Sequence, residues 1–269
     1  MKNNKLDPNS KLLFIHIPKT AGISLRKVLE RFYEKEEIDL IYEEKIKEFK
    51  NLPEMERSNK KVYFGHYPYG LHNYIPRPCS YITILREPIE RVISLYSYVY
   101  KDPTHPFYGK FDFNKIPISH FVESGMTLET DNEQTRFISG IDPEFGQCSS
   151  EMLETAKDNL RKKFLVVGLS EYFDETVLLI KLALGWRIPL KLSIKKYLFS
   201  TSSPYYENTN VSKHRIHRED LSDYDLNIIR KYNEFDIQLY SYAEKLFFEQ
   251  IKNHGPSFKS KLKRLKEWR

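Results

Sequence analysis

Apolar residues gather in four short runs that predict buried β-strands. The runs cover residues 12–17, 61–66, 80–85 and 164–169, and each is bounded by polar or turn-forming sequence. The last of them is the most apolar stretch of the chain. Near-continuous runs of this kind are typical of parallel strands that are covered on both faces.

Apolar residues at helical spacing occupy the segments between these runs. After Pro88, an apolar face recurs at positions 89, 92, 93, 96 and 100. The other predicted helices begin near residue 22 or cover residues 132–140, 150–162, 171–186 and 220 to about 253. Residues 34–60 are dense in Glu and Lys, and they predict only surface helix and loop.

Strands that alternate with helices predict an α/β protein. We expect a P-loop-like three-layer fold with a central parallel sheet flanked by helices. It should form a single domain over residues 11–254, between a polar tail at 1–10 and a basic tail at 255–269. The basic tail could attract an anionic glycan or a membrane surface, or could be a solvated helix end.

Composition narrows the class of ligand. The 269 residues carry a formal net charge of +6, which suits an anionic ligand such as a nucleotide, an acidic glycan or a nucleic acid, although a merely solvated surface has the same charge. Cys79 and Cys148 are too few for a disulfide framework and form no zinc motif, so we expect two reduced thiols. No run is long enough for a transmembrane segment and no signal peptide is recognisable, so we expect a soluble cytoplasmic protein.

A candidate anion site follows the first predicted strand. Lys19 and Thr20 lie in a short turn, and a helix is predicted to begin near Gly22. The N–H groups of a first helical turn and the positive end of its dipole converge on one point. Lys19 adds a charge, Thr20 and Ser24 add hydroxyls, and Gly22 allows close approach of a ligand. This turn therefore predicts a cradle for a phosphate or sulfate group.

A second cation is predicted at the same edge of the sheet. The strand at 80–85 is followed by Arg86, and the strand at 61–66 ends in His66. Ligands of parallel sheets bind beyond the carboxyl ends of the strands, so Lys19, His66 and Arg86 should form one site. Arg86 cannot bind a metal but can bind a second phosphate through its several donors. The pattern favours a nucleotide with two separated anionic groups and no metal.

Several motifs together resemble the sulfotransferase family. Residues 14–22 with Ser24 resemble the loop that binds the 5′-phosphosulfate, and residues 85–88 with Arg91 and Ser94 resemble the strand and helix that bind the 3′-phosphate. Further landmarks at 64–66, 132–140, 167–171 and 185–186 are similar to the branch that includes heparan sulfate 2-O-sulfotransferase and related carbohydrate sulfotransferases. The resemblance covers about residues 12–215.

The resemblance implies transfer of a sulfuryl group from 3′-phosphoadenosine 5′-phosphosulfate (PAPS) to an acceptor hydroxyl without a metal. Lys19 would hold the phosphosulfate and neutralise charge on the leaving oxygen. Arg86 and Ser94 would bind the 3′-phosphate, and Arg91 is either a second phosphate ligand or a surface ion-pair partner of Glu87 or Glu90. Backbone N–H groups would hold the 5′ group, from Thr20, Ala21, Gly22, Ile23 and Ser24. A late loop would close over the nucleotide with Ser212, Lys213 and Arg215.

The acceptor side of the site needs a base. His66 is the candidate, since it matches the Gly-His position of the family and a neutral imidazole is available near neutral pH. His72 is a second choice or an acceptor contact, and His16 is expected to be a hydrogen-bonded residue of the core that supports the site. Arg136 either contacts an acidic acceptor or serves in capping or in pairing with a nearby Glu. The expected acceptor is a hydroxyl of a saccharide or glycan.

Two other classes of function remain open from the sequence. A P-loop-type nucleotide kinase is disfavoured because the turn lacks G-x-x-x-x-G-K-[ST] and the strand at 80–85 ends in Arg86 rather than in a carboxylate that holds Mg²⁺. A non-catalytic module that binds an anionic glycan is the other alternative. No specific binding of nucleic acid is expected, and the oligomeric state is not encoded in any recognisable pattern.

Overall fold

A single parallel sheet lies at the centre of the molecule. The computed structural model describes residues 5–101, 107–108, 116–186 and 216–267. The strands within these ranges are β1 (Lys11–Ile15), β2 (Ile38–Ile41), β3 (Val62–Gly65), β4 (Cys79–Leu85) and β5 (Phe164–Leu169). Their order across the sheet is β2-β3-β1-β4-β5, and every neighbouring pair is parallel.

Helices flank this sheet. The helices of the described ranges are α1 (Gly22–Leu29), α2 (Glu43–Asn51), α3 (Glu54–Arg57), α4 (Pro88–Lys101), α5 (Ile118–Glu123), α6 (Glu133–Ser139), α7 (Ser150–Lys163), α8 (Phe173–Leu184), α9 (Asp223–Tyr232), α10 (Glu234–Asn253) and α11 (Pro256–Glu267). Helices α7, α8 and α10 contact β5, and α2 contacts β2. The predicted α/β architecture is therefore confirmed.

The apolar runs form the core as predicted. Residues 12–15 of β1 are fully buried although successive side chains point to opposite faces, so both faces of the sheet are covered. A second apolar cluster joins α4, α5 and α9. It buries the predicted α4 face at Ile89, Val92, Ile93 and Tyr96, whereas Tyr100, which the same pattern assigned to this face, is exposed.

The structure departs from the sequence prediction at three elements. Strand β2 forms within residues 34–60, for which no strand was predicted. The strand was missed because only four residues of that charged segment join the sheet, at its edge. Strand β1 ends at Ile15, although the N–H of His16 still donates to the Gly65 carbonyl. Residues 256–267 form α11, whose Phe258 and Leu265 join the main core.

The sequence predicted no transmembrane segment, and the helices of the structure can be compared with that prediction. Among the helices of the described ranges, none combines the length and the apolar composition that a bilayer-spanning segment requires. Ser212, Lys213 and Arg215 of the predicted late loop lie outside the described residues, and the cytoplasmic location stays a prediction.

The N-termini of α6 and α10 are capped by each other's side chains. Asp236 of α10 accepts hydrogen bonds from the backbone N–H groups of Gln134 and Thr135 at 3.0 and 2.7 Å. In return, the side-chain oxygen of Asn132, just before α6, accepts from the N–H groups of Phe235 and Asp236 at 2.9 and 3.1 Å. Such caps satisfy donors that a buried helix end would otherwise leave unpaired. The two helices are therefore locked together by polar contacts in the interior.

Arg136 belongs to this interior, and its predicted contact with an acidic acceptor is wrong. The side chain is only 2% exposed and forms an ion pair with Asp131 at 2.5 Å. Its other nitrogens donate to the Asp131 carbonyl, to Asp142 and to the Pro143 carbonyl. The donors of the guanidinium are thus directed inward, because α6 presents this residue to the loop that follows the helix rather than to solvent.

Removal of Arg136 should therefore destabilise the fold. Arg136→Leu leaves the carboxylate of Asp131 buried without its cation, which costs about 3–5 kcal/mol of unfolding free energy. Urea denaturation followed by circular dichroism measures this difference. The matched control is Arg161→Leu, since Arg161 forms an exposed ion pair with Asp158 and its loss should cost about 0–1 kcal/mol. Equal destabilisation by the two variants would contradict the assigned role of the buried pair.

Candidate active site

The turn between β1 and α1 has a strained backbone. Lys19 and Ala21 both have positive φ angles, of 68° and 69°, which non-glycine residues rarely adopt. The hydroxyl of Thr20 donates to the carbonyl of Ile17 at 2.9 Å and so closes the turn from within. Strain of this kind costs roughly 1–3 kcal/mol per residue and clusters at ligand sites.

Helix α1 begins at this turn with no side-chain cap. Ala21 is the residue at the N-cap position, and no side chain of the described residues accepts from the first helical turn there. The N–H groups of Gly22, Ile23 and Ser24 therefore point past the start of the helix, where an anion would accept their hydrogen bonds. Gly22 is buried and Ile23 is about half exposed, so the turn is open on one side.

Two histidines connect this turn to the end of β3. Nε2 of His66 lies 3.1 Å from Nδ1 of His16, within hydrogen-bond distance. The other side of the His16 ring rests on the start of α1, where a Cβ on Gly22 would lie only 1.8 Å from Cδ2 of His16. Gly22 is therefore required for the close packing of His16 as well as for access to the backbone.

Both histidines are held in the neutral form. Burial lowers the pKa of His66 to about 4. Burial also lowers the pKa of His16 well below its usual value, and the charges of Lys19 and Arg26 lower it further, together with His66. Near neutral pH, the two rings consequently share a hydrogen bond between uncharged groups, and His66 is able to accept a proton.

Arg86 ties the end of β4 to the same turn. Its Nη1 donates to the carbonyl oxygen of Lys19 at 3.1 Å, and its Nη2 lies 3.7 Å from Glu90. The backbone N–H and carbonyl of Arg86 are both paired with the side-chain amide of Gln134 at 2.9 Å. Arg86 is thus fixed from both sides, by α6 and by the turn, while part of its side chain stays exposed.

The ammonium group of Lys19 lies against an aromatic ring. Its Nζ is 3.8 Å from the centre of the Tyr98 ring on α4, a favourable cation–π distance. The charges of Lys19 and Arg86 are therefore at one edge of the sheet, beside the uncapped start of α1 and the two histidines.

Comparison with known proteins identifies the family. A family model described as the sulfotransferase family matches residues 3–243. The chain belongs to the sulfotransferase family.

Its curated relatives are longer proteins. Heparan-sulfate 6-O-sulfotransferase 2 of Homo sapiens and that of Mus musculus are each 27% identical over an alignment of 204 residues, and the alignment covers 65% of this chain and 30% of each relative. The chain thus spans less than a third of the length of these relatives. The solved structure of mouse sulfotransferase SULT7A1 complexed with PAP is 18% identical, with a TM-score of 0.46 over 99% of this chain and 92% of that one.

In the structure, the three predicted strand ends meet. Lys19 and Arg86 are in direct contact, and His66 reaches the same turn through His16. His16 is a hydrogen-bonded core residue as predicted, since its side chain is 5% exposed and its Nδ1 is within hydrogen-bond distance of His66. Among the described residues, no three His, Cys, Asp or Glu side chains are grouped so that they could hold a metal ion.

Arg91 is buried in the interior, and the prediction that it is a surface ion-pair partner is wrong. Its side chain is fully buried, and Nη2 donates to the carbonyl of Glu129 at 2.5 Å. A position at the surface was expected, but the segment around Glu129 covers this side of α4. Burial raises the pKa of both Glu133 and Asp236, and the charge of Arg91 opposes this rise. It therefore balances interior carboxylates and is neither a surface ion-pair partner nor placed to bind a nucleotide.

His72 is also misplaced by the sequence prediction. Its Nδ1 lies 2.9 Å from the hydroxyl of Tyr81, near the start of β4, and its ring packs on Tyr69. Tyr81 pairs with Phe164, the first residue of β5, so this contact lies toward the amino ends of the strands. The prediction that His72 acts as base or contacts the acceptor is wrong, because the loop after His66 leads back across the sheet.

Other predicted ligands are placed less specifically. Ser94 is half-buried on α4 and Ser24 is half-buried in the first turn of α1, and both stay predictions. Ser212, Lys213 and Arg215 lie outside the described residues.

Three residues of the site were not singled out from the sequence. Tyr98 contacts Lys19, and Gln134 holds the backbone of Arg86. The ring of Tyr42, which follows β2, lies 5.0 Å from that of His66. Only Gln134 had a sequence signal, since it falls in a segment similar to a family landmark. Tyr42 could not be placed because β2 itself was not predicted.

The depressed pKa of His66 predicts a pH dependence of stability. Between pH 6.5 and about 4, the unfolded chain binds a proton at His66 that the folded chain does not. The unfolding free energy should therefore fall as the pH is lowered through this window, by up to about 3 kcal/mol for His66 alone. Denaturant unfolding of the wild type and of His66→Gln at several pH values measures the contribution, which should be absent from the variant.

Exposed histidines supply the control for this experiment. His120 on α5 is exposed, so His120→Gln should keep the pH dependence of the wild type. Parallel curves for the wild type and His66→Gln would show that His66 keeps an ordinary pKa.

Proposed function

We propose that this protein transfers a sulfuryl group from PAPS to a hydroxyl group of a saccharide, with His66 as the general base. The observation that carries the proposal is the contact between Arg86 and the Lys19 turn, because it brings two fixed cationic groups and an uncapped helix start to one edge of the sheet. A donor with two anionic ends requires that arrangement.

The residues present fit the 5′ end of PAPS. The N–H groups of the first turn of α1, with the ammonium of Lys19, would hold the phosphosulfate, and bound there it would supply an electrophilic sulfur. Lys19 would neutralise the charge that develops on the bridging oxygen as the S–O bond breaks. Its ammonium is held near this position by the Tyr98 ring.

The 3′-phosphate is assigned to Arg86 and Ser94. The guanidinium of Arg86 lies against the turn that would hold the 5′ end, and its side chain stays 18% exposed, so a phosphate that arrives there can contact it. Ser94 lies on α4, which begins two residues after Arg86. Residues 212–215 are proposed to complete the nucleotide site.

A saccharide acceptor is supported by the relatives, which are named as heparan-sulfate sulfotransferases. The sequence resemblance pointed to the branch with the 2-O enzyme, whereas these relatives are 6-O enzymes, so the position that is sulfated is not assigned. The net charge of +6 suits an acidic glycan.

Nucleotide binding is the first test of this function. Calorimetric titration with 3′-phosphoadenosine 5′-phosphate, the desulfated product, should give binding that EDTA leaves unchanged, and Arg86→Ala should abolish it because the guanidinium that would bind the 3′-phosphate is lost. The exposed Arg161→Ala has the same change in charge and should bind normally. Binding of ATP with Mg²⁺ alone would instead favour a kinase.

Catalysis by His66 is tested separately. His66→Ala should keep nucleotide affinity, while transfer of radiolabelled sulfate from PAPS to heparan sulfate or to another of a panel of saccharides falls at least ~10²-fold, the usual scale for loss of a general base. His120→Ala removes an exposed histidine and should keep full activity. Turnover at the wild-type rate in His66→Ala would place the base elsewhere.

A further inference from the structure

The hydrogen bond between the two histidines limits which nitrogen of His66 can act as a base. Nε2 of His66 and Nδ1 of His16 are 3.1 Å apart, so one of them carries a hydrogen and the other offers a lone pair. If His16 donated, a neutral His66 would carry its hydrogen on Nδ1 and have no lone pair left for a substrate. If His66 donates, its Nδ1 is unprotonated and basic.

We propose that His16 is a positioning residue: its Nδ1 accepts the hydrogen bond from Nε2–H of His66, and so directs the lone pair on Nδ1 of His66 toward the acceptor hydroxyl. This inference rests on the proposed function for its catalytic consequence, but the tautomer itself is a property of the protein.

The surroundings of His16 suit an acceptor. The ring is 5% exposed and is confined between the Phe64 ring, the His66 ring and the backbone of Gly22. The charged or titratable groups that face it are Lys19, Arg26 and His66, which all disfavour the protonated ring, as burial does. A neutral ring whose hydrogen is on Nε2 keeps the lone pair on Nδ1 for His66.

The same bond supports the proton transfer. His66 takes the hydroxyl proton of the acceptor on Nδ1 while the hydroxyl oxygen forms its bond to sulfur, and the electron pair of the broken S–O bond leaves with the nucleotide. The imidazolium that results keeps Nε2–H, which donates to the neutral ring of His16. Neither ring has to rotate during the step, so the base is preorganised.

The packing of His16 on Gly22 extends this role to the donor side. The ring that orients the base touches the first residue of the helix proposed to hold the phosphosulfate. His16 therefore fixes the distance between the base and the donor loop, which an in-line transfer requires.

The tautomer can be read directly. In protein labelled with isotope-enriched histidine, the nitrogen chemical shifts should show His66 protonated on Nε2 and unprotonated on Nδ1, and His16 unprotonated on Nδ1. Spectra of His66→Gln and His16→Asn assign the signals among the eight histidines. A hydrogen on Nδ1 of His66 would overturn the proposal. This measurement needs no substrate, so it stands even if sulfuryl transfer is not found.

Kinetics test the consequence. His16→Leu removes the acceptor and should lower kcat at least ~10-fold, part of the ~10²–10⁴ that a general base supplies, while affinity for 3′-phosphoadenosine 5′-phosphate stays within about two-fold. His16→Asn places an amide oxygen near the former Nδ1 and should recover most of this loss. In a His66→Ala background, His16→Leu should cause no further loss, because the two residues act as a unit. Equal losses in both backgrounds would show a merely structural role and would overturn the proposal.

Discussion

The hydrogen bond from Arg86 to the carbonyl of Lys19 joins the ends of β1 and β4, and the geometry of the candidate site depends on it. The turn that contains Lys19 is held in a strained conformation, with two positive φ angles outside glycine. It is kept there by Arg86 from one side, by the hydroxyl of Thr20 from within, and by the His16 ring against Gly22. Such over-determination is what allows strained backbone to persist, and it leaves the N–H groups of α1 fixed before any ligand arrives.

Burial and positive charge together set the chemistry of the histidines. A base with a pKa of about 4 is deprotonated at neutral pH but is weak, so it would accept a proton reluctantly. An anionic donor beside the Lys19 turn would favour the protonated form of His66 through its charge. Binding of the donor should therefore raise the pKa of His66. In the protein without donor, the low pKa of His66 keeps this base uncharged.

The sequence was sufficient where local pattern decides the structure. Strand β5 was predicted at its observed bounds, and the apolar face of α4 was predicted from its spacing, because burial on both sides of a strand or along one helix face leaves a direct signal. Strand β2 was missed because a four-residue edge strand inside a charged segment has no such signal. The meeting of Lys19, His66 and Arg86 was predictable because carboxyl ends of parallel strands share one edge.

The errors have a common physical cause in tertiary contacts that cover polar residues. Arg91 and Arg136 were expected outside because a charged side chain is normally solvated, but both balance carboxylates in the interior. His72 was expected at the site as a second candidate base or an acceptor contact, whereas the loop after His66 leads away from the site and pairs His72 with Tyr81.

Buried polar side chains also hold the candidate site in position. Asn132 and Asp236 lock α6 to α10 by reciprocal caps, and Gln134 of α6 pairs with both the N–H and the carbonyl of Arg86. The arginine proposed to bind the 3′-phosphate is therefore anchored at its backbone to a helix that cannot shift without leaving buried donors unpaired. A buried polar network costs more to assemble than an apolar core, but here it fixes the position of a cation that the proposed chemistry needs at one defined place. Residues 131–136 and 236 therefore hold the edge of the sheet that carries Lys19, His66 and Arg86 in place, although none of them touches the place proposed for the substrate.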